Sequence, residues 1–244
     1  MGEASYMIGI KIFCDRSQGA LGLSQKCYIK RVLENFNMNN CSAGIVPIQK
    51  GDKFSPIQCP KNDVERKEME SIPYSSIVGS LMYALTCTRL NISFEVGMIG
   101  RYQSNPGIDH WKAAKKVLSY LKGTKDYMLM YRRSKHLEVV RYSNLDFVGC
   151  IDTRKSTFGC LFQLAEGAIS WKSTKQSVIT TSTMEEEFVA CFEATIHALW
   201  LRNFILGLGV VDTITKPLKI TVIILQQYSS PRTISTPKVP SIWN

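Results

Sequence analysis

Apolar and polar positions divide the chain into a strand-like opening, a helical middle and a second strand-rich stretch. Tyr6 to Phe13 is β-rich, Arg16 to Gly19 supplies turn residues, and Leu21 to Leu23 reads as a returning strand, so the opening predicts a hairpin. Ser24 stands where a cap is needed for a helix from Gln25 to about Phe36, with Tyr28, Val32, Leu33 and Phe36 as its apolar stripe. Asn37 to about Pro73 is polar, contains Pro and lacks strong periodicity, which predicts a connector. Helices are expected over Ile72–Cys87, Ile92–Tyr102 with Asn91 as cap, and Asp109–Leu121 with Trp111, Ala114, Leu118 and Leu121 on one side. From Tyr127 the pattern changes to strands, at Tyr127–Tyr131, Glu138–Asp146, Thr157–Leu164 and Ala168–Lys172, with Gly149 and Gly167 in turns. A long helix follows from about Thr183 to Leu206, capped by Ser182 or Thr183, and another strand lies near Ile220. The expected fold class is α/β in the α+β sense, a helix packed on one face of a sheet.

Composition narrows the function classes. Hydrophobic residues make up 45% of the 244, enough for a sizeable core. Thirty Lys plus Arg against twenty Asp plus Glu give a net charge of +10, which favours a polyanion partner and makes nucleic acid the natural candidate. Lys112, Lys115, Lys116 and Lys122 spread over the third helix of the middle region, either as a solvated face or along a phosphate backbone. The eight cysteines show no CxxC pair or zinc-ligand spacing and read as reduced, mostly buried thiols. Charges interrupt every long apolar stretch before a membrane-spanning length, no leader opens the chain, and Tyr6 spoils a myristoylation motif after Met1-Gly2. These features predict an intracellular chain, cytoplasmic or nuclear, with no membrane association, and leave its oligomeric state open.

Three stretches carry a family resemblance. Tyr74 to Tyr131 (YSSIVGSLMYALTCTRLNISFEVGMIGRYQSNPGIDHWKAAKKVLSYLKGTKDYMLMY) resembles the region joining reverse transcriptase to ribonuclease H in the Pol polyproteins of copia-type retrotransposons. Upstream, YMIGIKIF and GLSQKCYIKRVLENFNM resemble the end of the polymerase palm and the start of the thumb. Downstream, RKSTFGCLFQLAEGAISWKSTKQ and TTSTMEEEFVACFEA resemble the ribonuclease H domain. The resemblance covers about Ala4 to Ile220 and implies four regions. Residues 1–60 would be a palm and thumb remnant, 61–126 a helical connection, 127–225 a truncated ribonuclease H-like mixed sheet with helices, and 226–244 an unstructured tail. The paired aspartates of the polymerase would precede residue 1.

In such a ribonuclease H, Mg²⁺ ions about 3.5–4 Å apart direct water at the RNA strand of an RNA–DNA hybrid, and several carboxylates must neutralise the pair. The resemblance places the first acidic position at Asn144, which offers a carbonyl oxygen but no charge. Asp146, two residues on, is the rescue ligand or an ordinary surface aspartate. The second position falls at Glu187, while Glu185 and Glu186 suit a helix N-terminus. The third falls at Ile223, whose alkyl side chain cannot bind Mg²⁺. Reading Val222–Ile234 one base earlier lets the codons encode Cys-Asp-Asn-Ser-Ala-Ala-Val-Phe-Phe-Ser-Lys-Asn-Asp, a family-like continuation, so loss of one base after codon 220 would account for this tail.

The expectation is a Pol fragment that has lost hybrid cleavage, does not productively bind the Mg²⁺ that the family uses, and binds hybrid or duplex weakly and without base specificity. The alternatives are a residual metal-dependent ribonuclease H using Asp146 and Glu187, and a co-opted interaction protein. Loss of the downstream helices is expected to leave apolar surface exposed on the ribonuclease H-like domain.

Overall fold

The computed structural model describes residues 4–48, 54–133, 140–150, 155–164, 166–176 and 182–209. The chain divides into two compact units. The first holds the opening residues up to Phe13 together with Gly22–Met128, and the second holds Cys14–Leu21 and the chain from Leu129. The fold is mixed α/β, with six α-helices and two small sheets among the described residues.

The opening β-rich stretch is not one strand. It breaks into β1 (Tyr6–Met7) and β2 (Ile10–Asp15), paired antiparallel with Met7 opposite Ile10. The two-residue turn between them places Ile8 and Gly9 both at positive φ, 50° and 74°. That is the backbone a tight hairpin requires, and glycine takes it freely while a β-branched residue does not. β3 (Ala20–Ser24) returns as expected. The strand predicted at Tyr127–Tyr131 forms as β4 (Met128–Arg132), but it stands beside β3 in the sheet order β1-β2-β3-β4 rather than with the later strands.

In the first unit, α1 (Lys26–Asn35) buries Ile29, Val32 and Leu33, with Tyr28 and Phe36 at the rim of its stripe. Its N-cap is Gln25 rather than Ser24. Gln25 is buried and its Oε1 accepts from the Thr88 hydroxyl at 2.6 Å, while Ser24 Oγ accepts from the Lys26 amide at 3.3 Å. The supposed connector contains α2 (Asp63–Glu70), preceded by a 3-10 turn at Pro56–Gln58. Asn62 caps α2 by accepting from the Glu65 amide at 2.8 Å, and Glu65 reaches back to accept from the Lys61 amide at 2.8 Å. Only Met69 of this helix is buried, so apolar periodicity could not reveal it.

The middle helices are α3 (Tyr74–Cys87), α4 (Ser93–Ile99) between two 3-10 turns, and α5 (Ile108–Gly123). Ile77, Val78 and Leu81 of α3, Ile99 of α4, and Val117 and Leu118 of α5 are fully excluded from solvent and meet in one core. Trp111 is half-buried at its edge, packed against Phe36 with ring centroids 6.3 Å apart. Asn91 does not cap a helix; its side-chain amide donates to the Tyr120 hydroxyl. The buried Tyr74 hydroxyl donates to the Ile99 carbonyl at 2.7 Å, satisfying a polar group the core would otherwise strand.

In the second unit β5 (Val140–Cys150), β6 (Lys155–Leu164) and β7 (Gly167–Lys175) form an antiparallel meander. Gly149 lies within β5 rather than in a turn. The β5–β6 register runs unbroken from Val140 opposite Gln163 to Asp146 opposite Thr157, then shifts before Cys150 opposite Lys155. α6 (Thr183–Gly207) packs on β5 and β6. Its row Ala190, Ala194, Ala198, Leu201, Ile205 recurs every three or four residues and meets Phe158, Cys160 and Phe162. Three alanines in that row let the helix backbone approach the sheet closely. The strand expected near Ile220, the tail from residue 226 and Ile223 lie outside the described residues.

Candidate functional site

The residues that the resemblance assigns to the first two acidic positions lie on elements that pack together. Asn144 and Asp146 both belong to the unbroken part of β5, opposite Gly159 and Thr157 respectively. Glu187 belongs to α6, three residues before Ala190 opens the buried row. Ser182 caps this helix as expected, its Oγ accepting from the Glu185 amide at 3.2 Å. Glutamates this early in a helix complement the partial positive charge of its exposed amides. The structure therefore brings the strand and helix carrying these positions into contact, while the side chains of Asn144, Asp146 and Glu187 are outside its description.

The chemistry of these residue types is decided by their donors. Two closely spaced divalent cations need several anionic oxygens. Of the residues that the resemblance assigns to the site, Asn144 supplies a neutral amide, Ile223 supplies no donor, and only Asp146 and Glu187 are carboxylates. This set does not fit a two-metal site.

A polar pair beside this region had no signal in the sequence. Ser170 Oγ on β7 lies 2.9 Å from His197 Nε2 on α6. The His197 ring packs on Phe162 and Trp200, with centroid distances of 5.0 and 5.8 Å. Burial, and then the nearby Lys172 charge, hold the imidazole below its ordinary range, so the ring is neutral at pH 7. A neutral ring hydrogen-bonded to a hydroxyl ties helix to sheet; Ser170 and His197 stand 27 residues apart with no motif between them.

The opposite side of α6 is apolar and exposed. Phe188, Phe192, Ile196, Trp200 and Phe204 follow one another every four residues, and Phe188 is 72% exposed. Trp200 and Phe204 stack at 5.4 Å. Phe188–Gly207 is also long and apolar enough, by length and composition alone, to cross a membrane. That corrects the expectation that charge breaks every such stretch, because Glu193 and Arg202 are too few to do so. The alanine row of the same helix is packed on β6, as in a core helix.

The lysines of α5 have specific neighbours. Lys112 pairs with Asp109 at 3.3 Å, Lys115 sits 5.7 Å from the Trp111 ring centroid, and Lys122 donates to the Asn39 and Cys41 carbonyls. Of the seven cysteines whose side chains are described, all free thiols, only Cys160 is buried and Cys14 and Cys27 are exposed, so among these the expectation of mostly buried thiols fails.

No family model matches the chain, and no solved structure matches it. Curated proteins do. The chain is 42% identical over 209 residues to the retrovirus-related Pol polyprotein from transposon TNT 1-94 of Nicotiana tabacum, covering 86% of the chain and 16% of that protein. It is 31% identical over 208 residues to the Pol polyprotein from transposon RE2 of Arabidopsis thaliana, covering 85% of the chain and 14% of the polyprotein. It is 30% identical over 200 residues to an uncharacterized mitochondrial protein of Arabidopsis thaliana, covering 82% of the chain and 79% of that protein. The chain thus spans less than a fifth of the Pol polyproteins it matches, and it belongs to the family of retrovirus-related Pol polyproteins of copia-type retrotransposons, corresponding to a segment of them.

Proposed function

We propose that this segment comprises the end of the reverse transcriptase, a helical connection and a truncated ribonuclease H-like domain, and that it no longer cleaves RNA–DNA hybrids. The observation that carries the reading is the order β5-β6-β7-α6. It is an antiparallel meander followed by a helix packed on its first two strands, with Asn144 on the first strand where the family resemblance calls for a metal-binding aspartate. With a neutral amide there and Ile223 at the third position, the metal pair lacks the charge that would hold it, and no hydrolytic step follows from the remaining residues. Weak binding to hybrid or duplex would then come from net charge, without base reading.

Hydrolysis of a labelled RNA–DNA hybrid in Mg²⁺ or Mn²⁺ tests the loss of cleavage, with no product expected. Asn144→Asp alone should restore nothing, because Ile223 still supplies no donor. Efficient cleavage by that single variant would show the third position is misplaced.

The alternative, a residual ribonuclease H using Asp146 and Glu187, is favoured by both carboxylates lying on elements in contact. Cleavage abolished by Glu187→Gln would support it. A co-opted interaction protein is favoured by the exposed apolar row of α6. A hybrid mobility shift that weakens steeply with salt counts against it.

A further inference from the structure

The N-terminus of α5 is held by a histidine in place of the usual cap. Gly107 is the N-cap and His110 occupies the third helical position, where a capping box carries Glu or Gln. The Gly107 amide donates to His110 Nδ1 at 2.9 Å, so Nδ1 is the bare nitrogen and the neutral ring carries its proton on Nε2. His110 is fully buried, and Nε2 has no protein partner among the described residues. One face of the ring stacks on Tyr102 at 4.0 Å with planes 14° apart, and Phe54 lies 5.9 Å away. The turn is tightly seated as well, since a Cβ on Gly107 would lie 1.8 Å from the Gln58 carbonyl oxygen. The ring thus locks the start of α5 against the Pro56–Gln58 turn and the Tyr102 segment.

We propose that His110 is an acid-sensitive latch, whose protonation at Nδ1 turns the acceptor of the Gly107 amide into a second donor and releases the first turn of α5. Two N–H groups facing one another cannot bond, and the imidazolium would also sit in a buried site at the positive end of the helix.

The groups around the ring decide the direction. Asp109, its neighbour on α5, favours the imidazolium, but burial outweighs it and lowers the ring below 6.5. The segment before α5 presents Tyr102, and Tyr74 of α3 and Cys59 lie in the same neighbourhood. The Pro56–Gln58 turn contributes no ionisable side chain. Glu95 of α4 is raised by burial and therefore gains stability as pH falls, the opposite sign. For His110 the unfolded or opened state binds the proton more readily. Its stabilisation of the closed turn is complete above about pH 6.5 and is lost as pH falls from there through the lowered folded value.

Two mass-spectrometric measurements on the full chain test this. Exchange at the His110 ring C2–H should report a titration below 6.5. Amide exchange over residues 107–112, corrected for the intrinsic rate, should rise up to about tenfold for each pH unit lowered within that window. His110→Gln keeps an acceptor at the third position and cannot be protonated, so its amides should lose the pH response while remaining protected near pH 7. An unchanged pH response in His110→Gln would overturn the proposal. So, in the wild-type chain alone, would a ring titrating at or above 6.5, or titration without faster exchange. If His110→Gln does not fold, the two wild-type measurements decide the matter.

Discussion

Arg89 offers a test of which effect wins at a buried charge. It is 1% exposed and has no carboxylate partner among the described residues; instead one guanidinium nitrogen donates to the Thr124 carbonyl at 2.7 Å and another to the Thr124 hydroxyl, with Tyr127 5.6 Å away by its ring centroid. Desolvation lowers its pKa to about 10, so it is still charged at pH 7. At about 1.4 kcal/mol per pH unit, that drop corresponds to a desolvation cost of about 3 kcal/mol. Against it stand two charge-assisted hydrogen bonds totalling about 3–6 kcal/mol. Replacing Arg89 with Met keeps the stem and removes both contributions, which nearly cancel. What remains is the Thr124 carbonyl left buried without its donor, a loss of about 1–3 kcal/mol. Arg89→Met should therefore destabilise by about 2 kcal/mol, and Arg89→Ala by about 4 because the stem's packing goes too. With a urea slope of about 2 kcal/mol/M, the Met variant's midpoint should fall by about 1 M and the Ala variant's by about 2 M. Urea titration followed by Trp111 fluorescence, in a background with Trp171, Trp200 and Trp243 changed to Phe, reads the first unit directly. A Met midpoint equal to or above the parent's would refute the reasoning, because it would mean that desolvation outweighs everything the guanidinium contributes.

Three further outcomes are expected. Gly107→Ala forces a Cβ onto the Gln58 carbonyl at 1.8 Å, a backbone atom that cannot swing aside, and should cost about 2–4 kcal/mol in thermal or urea unfolding. Phe162→Ala empties a site that is 0% exposed between β6 and α6 and should cost about 3–5 kcal/mol, read as faster amide exchange in Ala190–Leu201. Phe188→Lys with Phe192→Lys interrupts the exposed row and should raise solubility, measured by ammonium sulfate precipitation, while leaving the helical circular dichroism unchanged.

The sequence announced those elements whose burial follows a clean period. α1, α3, α5 and α6 repeat their apolar residues every three or four positions because one face of each enters a core. α2 does not, and only the Asn62–Glu65 capping pattern could have revealed it. The tight turn at Ile8-Gly9 was hidden because Ile8 is a strong strand former, and the register that forces it to positive φ is set by pairing with residues farther along. β4 shows the same limit: its apolar content predicts a strand, whereas the choice of β3 as neighbour is a matter of tertiary structure. Of the candidate site, the elements were legible, Asn144 and Asp146 on a strand and Glu187 on a helix. Its packing partners were not, because neither the alanine row of α6 nor the Ser170–His197 contact forms a local motif.

On the function proposed above, loss of the acids need not unsettle the framework that carried them. The contacts joining α6 to the meander run through Ala190, Ala194 and Ala198 against Phe158, Cys160 and Phe162, none of which offers a side-chain oxygen to Mg²⁺. Carboxylates gathered for cations repel one another when the cations are absent, so a metal site is held together at the expense of the surrounding fold. On the reading proposed here, Asn144 in place of a carboxylate removes part of that repulsion and leaves the helix–sheet core intact. On the same proposal, the changes that would end hybrid cleavage differ in kind from those that would unfold the chain: the first would remove charge from β5, and the second would have to disturb small residues on α6 or aromatic residues on β6. A segment can persist in folded form after its chemistry has gone because the two properties rest on different side chains.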